Sequence, residues 1–489
     1  MSPRFSVAVP VALLVAVAFN PAAEAADPPP YRYTANYIGL LSPAGVPGGA
    51  TGMRLTDSGS VFGYAPVLTG SLTVASYAAF EWKAGVITPQ FTLAVTGSGT
   101  LVSPPRDVSS TGVFVGYDTT TNTAWARQGA TEQVLPTLPN TAAGTQALQV
   151  NAAGTIVGVH FIQGPAGTIG EPIRWESGSS TATAMPMPTD FRTSSGVAFR
   201  DINETGVAVG LVNASPTLQR ATVWDATTAR FLPSLSTDFN GTPTRSDAVD
   251  VNELGALAGN SDLLANNGTS LGRRAVAWSA DGVLTNLGTL STRTDGIGSS
   301  DAVAINEDGD VIGSFTQYSP GNAILGGRGF IWEQATGQMR ALGTLGAAAN
   351  GTAQSAALGV NNQGLVVGSS TLYEQSGTII RNRGARAVIA DPGAGFVDLN
   401  PLVDPASLTL PNALQAVVLN SAFAVSDRGW ILASSSTGCQ FGNCLWLLTP
   451  YGEPLDPPVV PVPAAAWLLG SGLAVLLART RRRRGAAEA

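Results

Sequence analysis

One lysine, Lys83, and one histidine, His160, occur among 489 residues, and there are two cysteines. A single histidine rules out a shared histidine metal site. It also limits any Ser-His-Asp arrangement to His160, and no Gly-x-Ser-x-Gly elbow is present. The two cysteines have no other cysteine or histidine nearby, so a zinc site lacks ligands. Charged residues make up only 12%; without the two ends, 20 basic residues face 31 acidic ones. That balance excludes a nucleic-acid surface, which needs clustered Lys and Arg. The stretch 304–345, the copy most of the body resembles, holds no helical period of useful length. What is abundant is glycine (57) and proline (32), the composition of an all-β, turn-rich exported chain.

Both ends read as delivery signals. Residues 1–26 carry Arg4, an apolar run over 7–19 and Ala23-Glu24-Ala25 before Ala26, which predicts a secretory signal cut near Ala26 or Asp27. The run is too short to cross about 30 Å of hydrocarbon. Residues 451–463 form a proline-rich linker, and 464–489 an apolar segment followed by a basic block that would hold its far end in the cytoplasm. Pro461, Val462 and Pro463, then Ala-Ala-Ala-Trp467-Leu-Leu-Gly-Ser-Gly-Leu and Arg481, Arg482, Arg483 and Arg484, resemble a PEP-CTERM sorting signal. Val462 stands where that motif has its acidic residue. The resemblance implies an exosortase-type sorting enzyme as partner and a transmembrane helix in the inner-membrane precursor. It implies release to the cell surface or extracellular matrix; an uncleaved anchor is the alternative. In an exported chain, Cys439-Gln-Phe-Gly-Asn-Cys444 predicts a local disulfide rather than two free thiols.

Between the ends, over 31–450, one unit recurs. Its clearest copy, over 304–345, begins Ala304-Ile305-Asn306-Glu307-Asp308-Gly309-Asp310-Val311-Ile312-Gly313. The first glycine of each copy is Gly59, Gly112, Gly154, Gly206, Gly255, Gly309, Gly364 and Gly429, 42 to 65 residues apart. An Asn, Asp or Ser side chain starts each turn, and the glycine supplies positive φ where the hairpin closes. The Val-x-Val-Gly run that follows reads as a buried strand whose glycine permits close approach. A third strand ends in Trp82, Trp125, Trp175, Trp224, Trp278, Trp332 or Trp446, with Ala390 in the seventh unit. A fourth is expected at Leu135-Pro-Thr-Leu138, Leu232-Pro-Ser-Leu235, Leu287-Gly-Thr-Leu290 and Leu342-Gly-Thr-Leu345. Four short strands per unit predict an all-β β-propeller of about eight four-stranded blades, with seven blades or an open β-solenoid as alternatives.

Ala79-Phe80-Glu81-Trp82, Gly329-Phe330-Ile331-Trp332 and the Leu-Gly-Thr-Leu segments resemble the HAF repeat of bacterial extracellular proteins. The resemblance spans 33 to about 450 and implies a secreted or surface repeat protein without an assigned activity. No unit keeps the name-giving histidine. Residues 33–41 resemble a fourth-strand segment, and the last unit lacks a clear one after Trp446-Leu447-Leu448. We therefore expect residues 33–41 to pair into the final blade and lock the ring.

No catalytic, cofactor or metal residue is predicted. The run 306–310 superficially resembles a calcium loop but lacks the downstream bidentate Glu, and it occupies a turn position common to all units. Asp107, Asp201 and Asp250 share one position before their turns and are placed to line a channel. Gln149, Ala304, Gly359 and Ala424 break any such ring. His160 is expected at the surface or a blade edge, and the repeated Trp in packing between blades. No unit shows an acid-rich departure from its siblings. The function expected is a non-enzymatic surface or matrix protein binding polysaccharide or protein, with the variable loops before each Trp, such as 314–328, as the place to look. The alternative is a polysaccharide hydrolase or lyase on a propeller.

Overall fold

The computed structural model describes residues 31–40, 47–95, 101–164, 167–188, 196–215, 218–238, 240–410, 416–439 and 442–453. The expected signal at 1–26, the linker beyond 453 and the sorting residues Pro461, Pro463, Trp467, Arg481, Arg482, Arg483 and Arg484 lie outside them. Apart from one 3-10 turn, Asn400–Leu402, every regular element among the described residues is a strand. The strands form eight four-stranded antiparallel sheets, and the inner strands of successive sheets contact one another around a complete ring. The protein is therefore an eight-bladed β-propeller, which removes the seven-blade and open-solenoid alternatives. The inner strands of blades 1 to 8 are Thr51–Leu55, Pro105–Val108, Thr145–Val150, Val197–Ile202, Ser246–Val251, Ser300–Ile305, Ser355–Val360 and Leu419–Val425.

Blade 6 shows why the repeat folds this way. Its strands are Ser300–Ile305, Val311–Tyr318, Ile324–Glu333 and Gln338–Gly343. The first hairpin closes with Gly309 N–H donating to Asn306 O (3.0 Å) and Asn306 N–H donating to Asp310 O (3.1 Å). Gly309 sits at φ 85°, and the corresponding glycine of all eight blades lies between 75° and 85°, as the turn chemistry requires. The second glycine, Gly313, answers a different constraint. Every inner strand carries a bulge opposite this point, in blade 6 between Ala302 and Ala304. A Cβ on Gly313 would lie 2.0 Å from Asp301 O; on Gly158, 1.9 Å from Gln146 O; on Gly368, 2.0 Å from Ala356 O. In these blades a side chain would push the inner strand out of register, whereas blade 8 holds Ala433 at the equivalent position opposite its own bulge.

Because each blade is sandwiched between two others, its middle strands are buried on both faces, which is why they read as nearly continuous apolar runs. Separate clusters fill the blade junctions: Phe330 and Trp332 pack with Ala258 and Ala275 of blade 5, and Trp175 with Val115 and Ala124 of blade 2. The indole N–H groups of Trp175 and Trp278 donate to Pro136 O (2.8 Å) and Pro233 O (3.0 Å) of the preceding blades. All seven third-strand tryptophans are at most 5% exposed. They are not all equivalent. Trp82, Trp175, Trp224, Trp278 and Trp332 pair with the first residue of their second strand, whereas Trp125 pairs with Gly116 and Trp446 with Ala433, two residues further along. Arg127 and Leu448 occupy the Trp register in blades 2 and 8.

The expected fourth strands need a similar correction. In blades 2 and 4 the outer strands are Thr131–Val134 and Ala229–Phe231, so Leu135 to Leu138 and Leu232 to Leu235 follow them. Proline has no N–H for the ladder, and the strand ends where Leu135 and Leu232 make their last bonds, to Ala124 O and Ala221 O. Blade 8 closes as expected. Tyr33–Ile38 is its outer strand, paired antiparallel with Cys444–Pro450 from Tyr33 opposite Pro450 to Ile38 opposite Leu445. Cys439 and Cys444 are joined by a disulfide beside this strand.

Candidate functional site

The turn asparagines are ring hardware. Asn306 Oδ1 accepts the Asp310 N–H at 2.8 Å, and its Nδ2 donates to Asn361 O of blade 7 at 3.1 Å. The same inter-blade bond runs Asn151 to Asn203, Asn203 to Asn252, Asn252 to Asn306 and Asn361 to Ser426, at 2.9–3.0 Å. All five asparagines are 3–4% exposed. Thr56, Ser109 and Ser426 hold this position in blades 1, 2 and 8; their hydroxyls accept the local N–H of Ser60, Val113 and Trp430. One residue on, the carboxylates of Glu204, Glu253 and Glu307 each accept an N–H from the preceding blade, of Ala152, Glu204 and Glu253. Glu307, part of the superficial calcium loop, is thus a cap on blade 5. Among the described residues no group of three or more His, Cys, Asp or Glu is placed to hold a metal ion.

Asp107, Asp201 and Asp250 do share one place on the inner strands, and the structure gives them one role. Asp107 accepts Val150 N–H of blade 3 (2.9 Å), Asp201 accepts Val251 N–H of blade 5 (3.2 Å), and Asp250 accepts Ile305 N–H of blade 6 (2.8 Å). In blade 1 Arg54 takes the position and donates to Val108 O. Asp201 and Asp250 also hydrogen-bond each other. Burial raises both pKa values, and the Asp250 charge raises Asp201 further, well above the usual range, so the pair shares a proton across its hydrogen bond. Both carboxyls are partly buried. With their oxygens engaged by backbone N–H groups, these carboxyls tie blades together and are poorly placed for nucleophilic or general-base work.

The pair has a pH signature. A carboxyl whose folded pKa exceeds its unfolded value contributes stability that is full below about pH 4 and lost as pH rises through the folded pKa. Asp201→Asn supplies a permanent donor toward Asp250 and removes that loss. We expect its midpoint of thermal unfolding to exceed wild type at pH 8, by about 1–2 kcal/mol of stability, with a smaller gain at pH 4.5. A gain independent of pH would remove the shared proton from the account.

The structure assembles a second acidic group that spacing along the sequence does not reveal. Asp247 and Asp301, at one inner-strand position in blades 5 and 6, converge with Asp262 on Arg273, whose guanidinium bonds Asp247 and lies 3.1 Å from Asp301. Burial raises Asp262 and Asp301, and Arg273 opposes it. Units 5 and 6 therefore do depart from their siblings. The signal was the repeated Ser-Asp-Ala-Val at 246–249 and 300–303, where the aligned residues elsewhere include Gln146, Ala198 and Ala356. His160 also departs from its expected surface position. It is 1% exposed on the second strand of blade 3, with Nε2 3.4 Å from Glu171 and its pKa lowered by burial. The cross-strand register places it inside the blade 3 sheet, opposite Thr145 and Glu171.

Five clefts open at blade junctions, all on the face carrying the turns between inner and second strands. They lie at junctions 2/3 (260 Å³), 4/5 (370 Å³), 5/6 (230 Å³), 6/7 (390 Å³) and 7/8 (550 Å³). Each is walled by the turn after the third strand of one blade and the glycine turn of the next, so the repeat copies the cleft along with the fold. Each presents carboxylates, such as Glu176, Asp225, Asp308, Glu333 or Asp391, and four add arginine: Arg127, Arg230, Arg340 and Arg32. None of the five is lined by the variable loop 314–328 or its counterparts, which lie on the opposite face.

No family model matches the sequence, and no curated protein matches it. Among solved structures, the chain is similar to a puromycin-hydrolyzing peptidase of Mycobacterium tuberculosis: TM-score 0.41, 12% identity, 86% of this chain and 63% of that one. It is also similar to the β-propeller domain of the Trilobed protease from Pyrococcus furiosus, with TM-score 0.37, 10% identity and coverage of 72% and 95%. A third is dipeptidyl peptidase 4 of Porphyromonas gingivalis, with TM-score 0.41, 10% identity and coverage of 76% and 55%. The chain thus spans less than two thirds of the first and third of these structures.

Proposed function

We propose that the chain is a non-enzymatic, exported repeat protein that binds an extracellular glycan polymer along one face of the propeller. The observation that carries this is the recurrence of one polar cleft at five junctions of the same face. A ligand with a chemical repeat suits a surface with a structural one, and several weak contacts along one chain add by effective concentration. Carboxylates and guanidinium groups at the clefts are suited to hydroxyl-rich ligands through planar hydrogen bonding. The disulfide fits an oxidising compartment, and the terminal sequences support export and sorting by an exosortase-type enzyme. The second reading, a polysaccharide hydrolase or lyase, has the Asp247, Asp262 and Asp301 group in its favour. That group is bound to Arg273 and lines none of the five clefts.

Titrating the full-length protein with neutral and acidic polysaccharides by calorimetry, while assaying new reducing ends, separates the two. Binding that tightens with chain length, without new ends, is the expected result. Turnover abolished by Asp301→Asn would establish the enzyme reading, and binding to none of the polymers would end the glycan reading.

A further inference from the structure

The junction between blades 7 and 8 differs from the other four. Its cleft is the largest, 550 Å³, inside the roughly 300–1,000 Å³ range of small-ligand sites. Both ends of the ring build it: residues 31–33 leading into and starting the closing strand and 450–451 ending and following the last one, with Asp391 and Pro392 of blade 7 and the 427–429 turn of blade 8. It is also the cleft that presents accessible aromatic rings, Tyr451 at 46% exposure and the half-buried Tyr31. Trp175 and Trp278, which line the 2/3 and 5/6 clefts, are 1% exposed and offer no open face.

The polar groups beside those rings are held in place. Arg32 and Asp391 form a bidentate pair, Nη1 to Oδ2 and Nη2 to Oδ1 both at 2.9 Å, yet half the surface of each side chain stays open to solvent. Such an exposed pair stabilises a fold by only about 0–1 kcal/mol. Backbone bonds fix it nonetheless: Arg32 N–H donates to Leu402 O at 2.7 Å, and Tyr451 N–H donates to Arg32 O at 2.7 Å. The opposite wall is fixed as well, since Glu453 accepts from Arg428 and from Trp430 Nε1 (3.1 Å), and Arg428 stacks 4.9 Å over the Trp430 ring.

Aromatic rings next to oriented carboxylate and guanidinium groups suit a pyranose, whose C–H face rests on a ring while its hydroxyls hydrogen-bond at the rim. Resting on the glycan reading above, we infer that the 7/8 cleft is the principal saccharide subsite of the face, and that its occupant pins the closing strand to blade 7. Because Tyr31 and Arg32 belong to the closing strand's lead-in, a sugar bound there contacts only the closed ring. By mass action it stabilises that state.

The test uses full-length protein with cellohexaose and laminarihexaose as neutral probes and an alginate hexamer as an acidic one, read by calorimetry and by the thermal midpoint. Wild type is expected to bind a neutral hexamer and to melt higher in its presence. Tyr451→Ala and Asp391→Ala should each weaken binding at least about tenfold and abolish the shift. Gln334→Ala in the 5/6 cleft should weaken it less than threefold. Melting without ligand shows whether either variant has lost its fold; Tyr451→Phe, which keeps the ring, should retain binding and guards against that case. Wild-type binding left unchanged by both 7/8 variants would overturn this subsite and leave the glycan reading standing. No binding of any hexamer or polysaccharide would overturn both.

Discussion

Deleting residues 31–41 is expected to leave a protein that cannot hold the closed ring and that aggregates. The strand Tyr33–Ile38 packs on both faces. Ile38, 0% exposed, joins Val61, Phe80 and Trp82 of blade 1 and Leu432, Leu445 and Leu447 of blade 8. Tyr33 and Ala35 join a different cluster with Leu399 of blade 7 and Trp446 and Leu448 of blade 8. Removing the strand uncovers both clusters and bares the edge of Cys444–Pro450, six of whose seven residues are buried. Each large apolar side chain buried is worth about 1.5–3 kcal/mol, against a total of about 5–15 kcal/mol for a typical domain. An apolar edge so exposed is a template for intermolecular pairing. The point version is Ile38→Ala, expected to cost about 2–5 kcal/mol by denaturant unfolding. A deletion variant that stayed monomeric and melted within a degree of wild type would show that the closing strand is dispensable.

That strand was legible in the sequence because its pattern matched an outer strand and the last unit lacked one. The eight turns were legible for a related reason: an Asx or hydroxyl residue followed by glycine is local chemistry, and all eight glycines carry the φ it demands. What sequence spacing could not show was register. Trp125 and Trp446 look like their siblings, but cross-strand pairing shifts them by two residues, and only the partner strand reveals it. The inner-strand bulge was equally hidden, since a bulge is a count of residues against a partner. Its trace was the second glycine, Gly313 and its equivalents, which the sequence presents only as a close approach without saying to what. The clefts lie between units rather than within them, so comparing units pointed to the variable loops, while the recurrent site sits beside the least variable turns.

Those turns supply the second large effect. Asn306 is 4% exposed and works as acceptor and donor together, to Asp310 N–H and to Asn361 O. Asn306→Ser reproduces the natural state of blades 2 and 8, where Ser109 and Ser426 close the turn. It gives up the inter-blade bond alone; Asn361 O keeps the Gly364 N–H at 3.0 Å, so the expected cost is that of one hydrogen bond, about 0.5–1.5 kcal/mol. Asn306→Asp is nearly isosteric and keeps the acceptor, but sets a carboxylate oxygen against Asn361 O. Ionised, it places like partial charges in contact in a buried site, a cost of about 3–5 kcal/mol; protonated, it restores the donor. Its folded pKa must therefore rise above the unfolded value near 4. The stability of Asn306→Asp is then greatest below about pH 4 and falls as pH climbs through the raised pKa. At pH 7 the order of unfolding midpoints should be wild type, then Ser, then Asp, and at pH 4.5 the Asp variant should approach or overtake Ser. A Ser variant that melts with wild type at pH 7 would mean that the Asn306 to Asn361 bond carries no weight, and that the clusters between blades hold the ring alone; equal midpoints for Ser and Asp would remove the buried charge from the account.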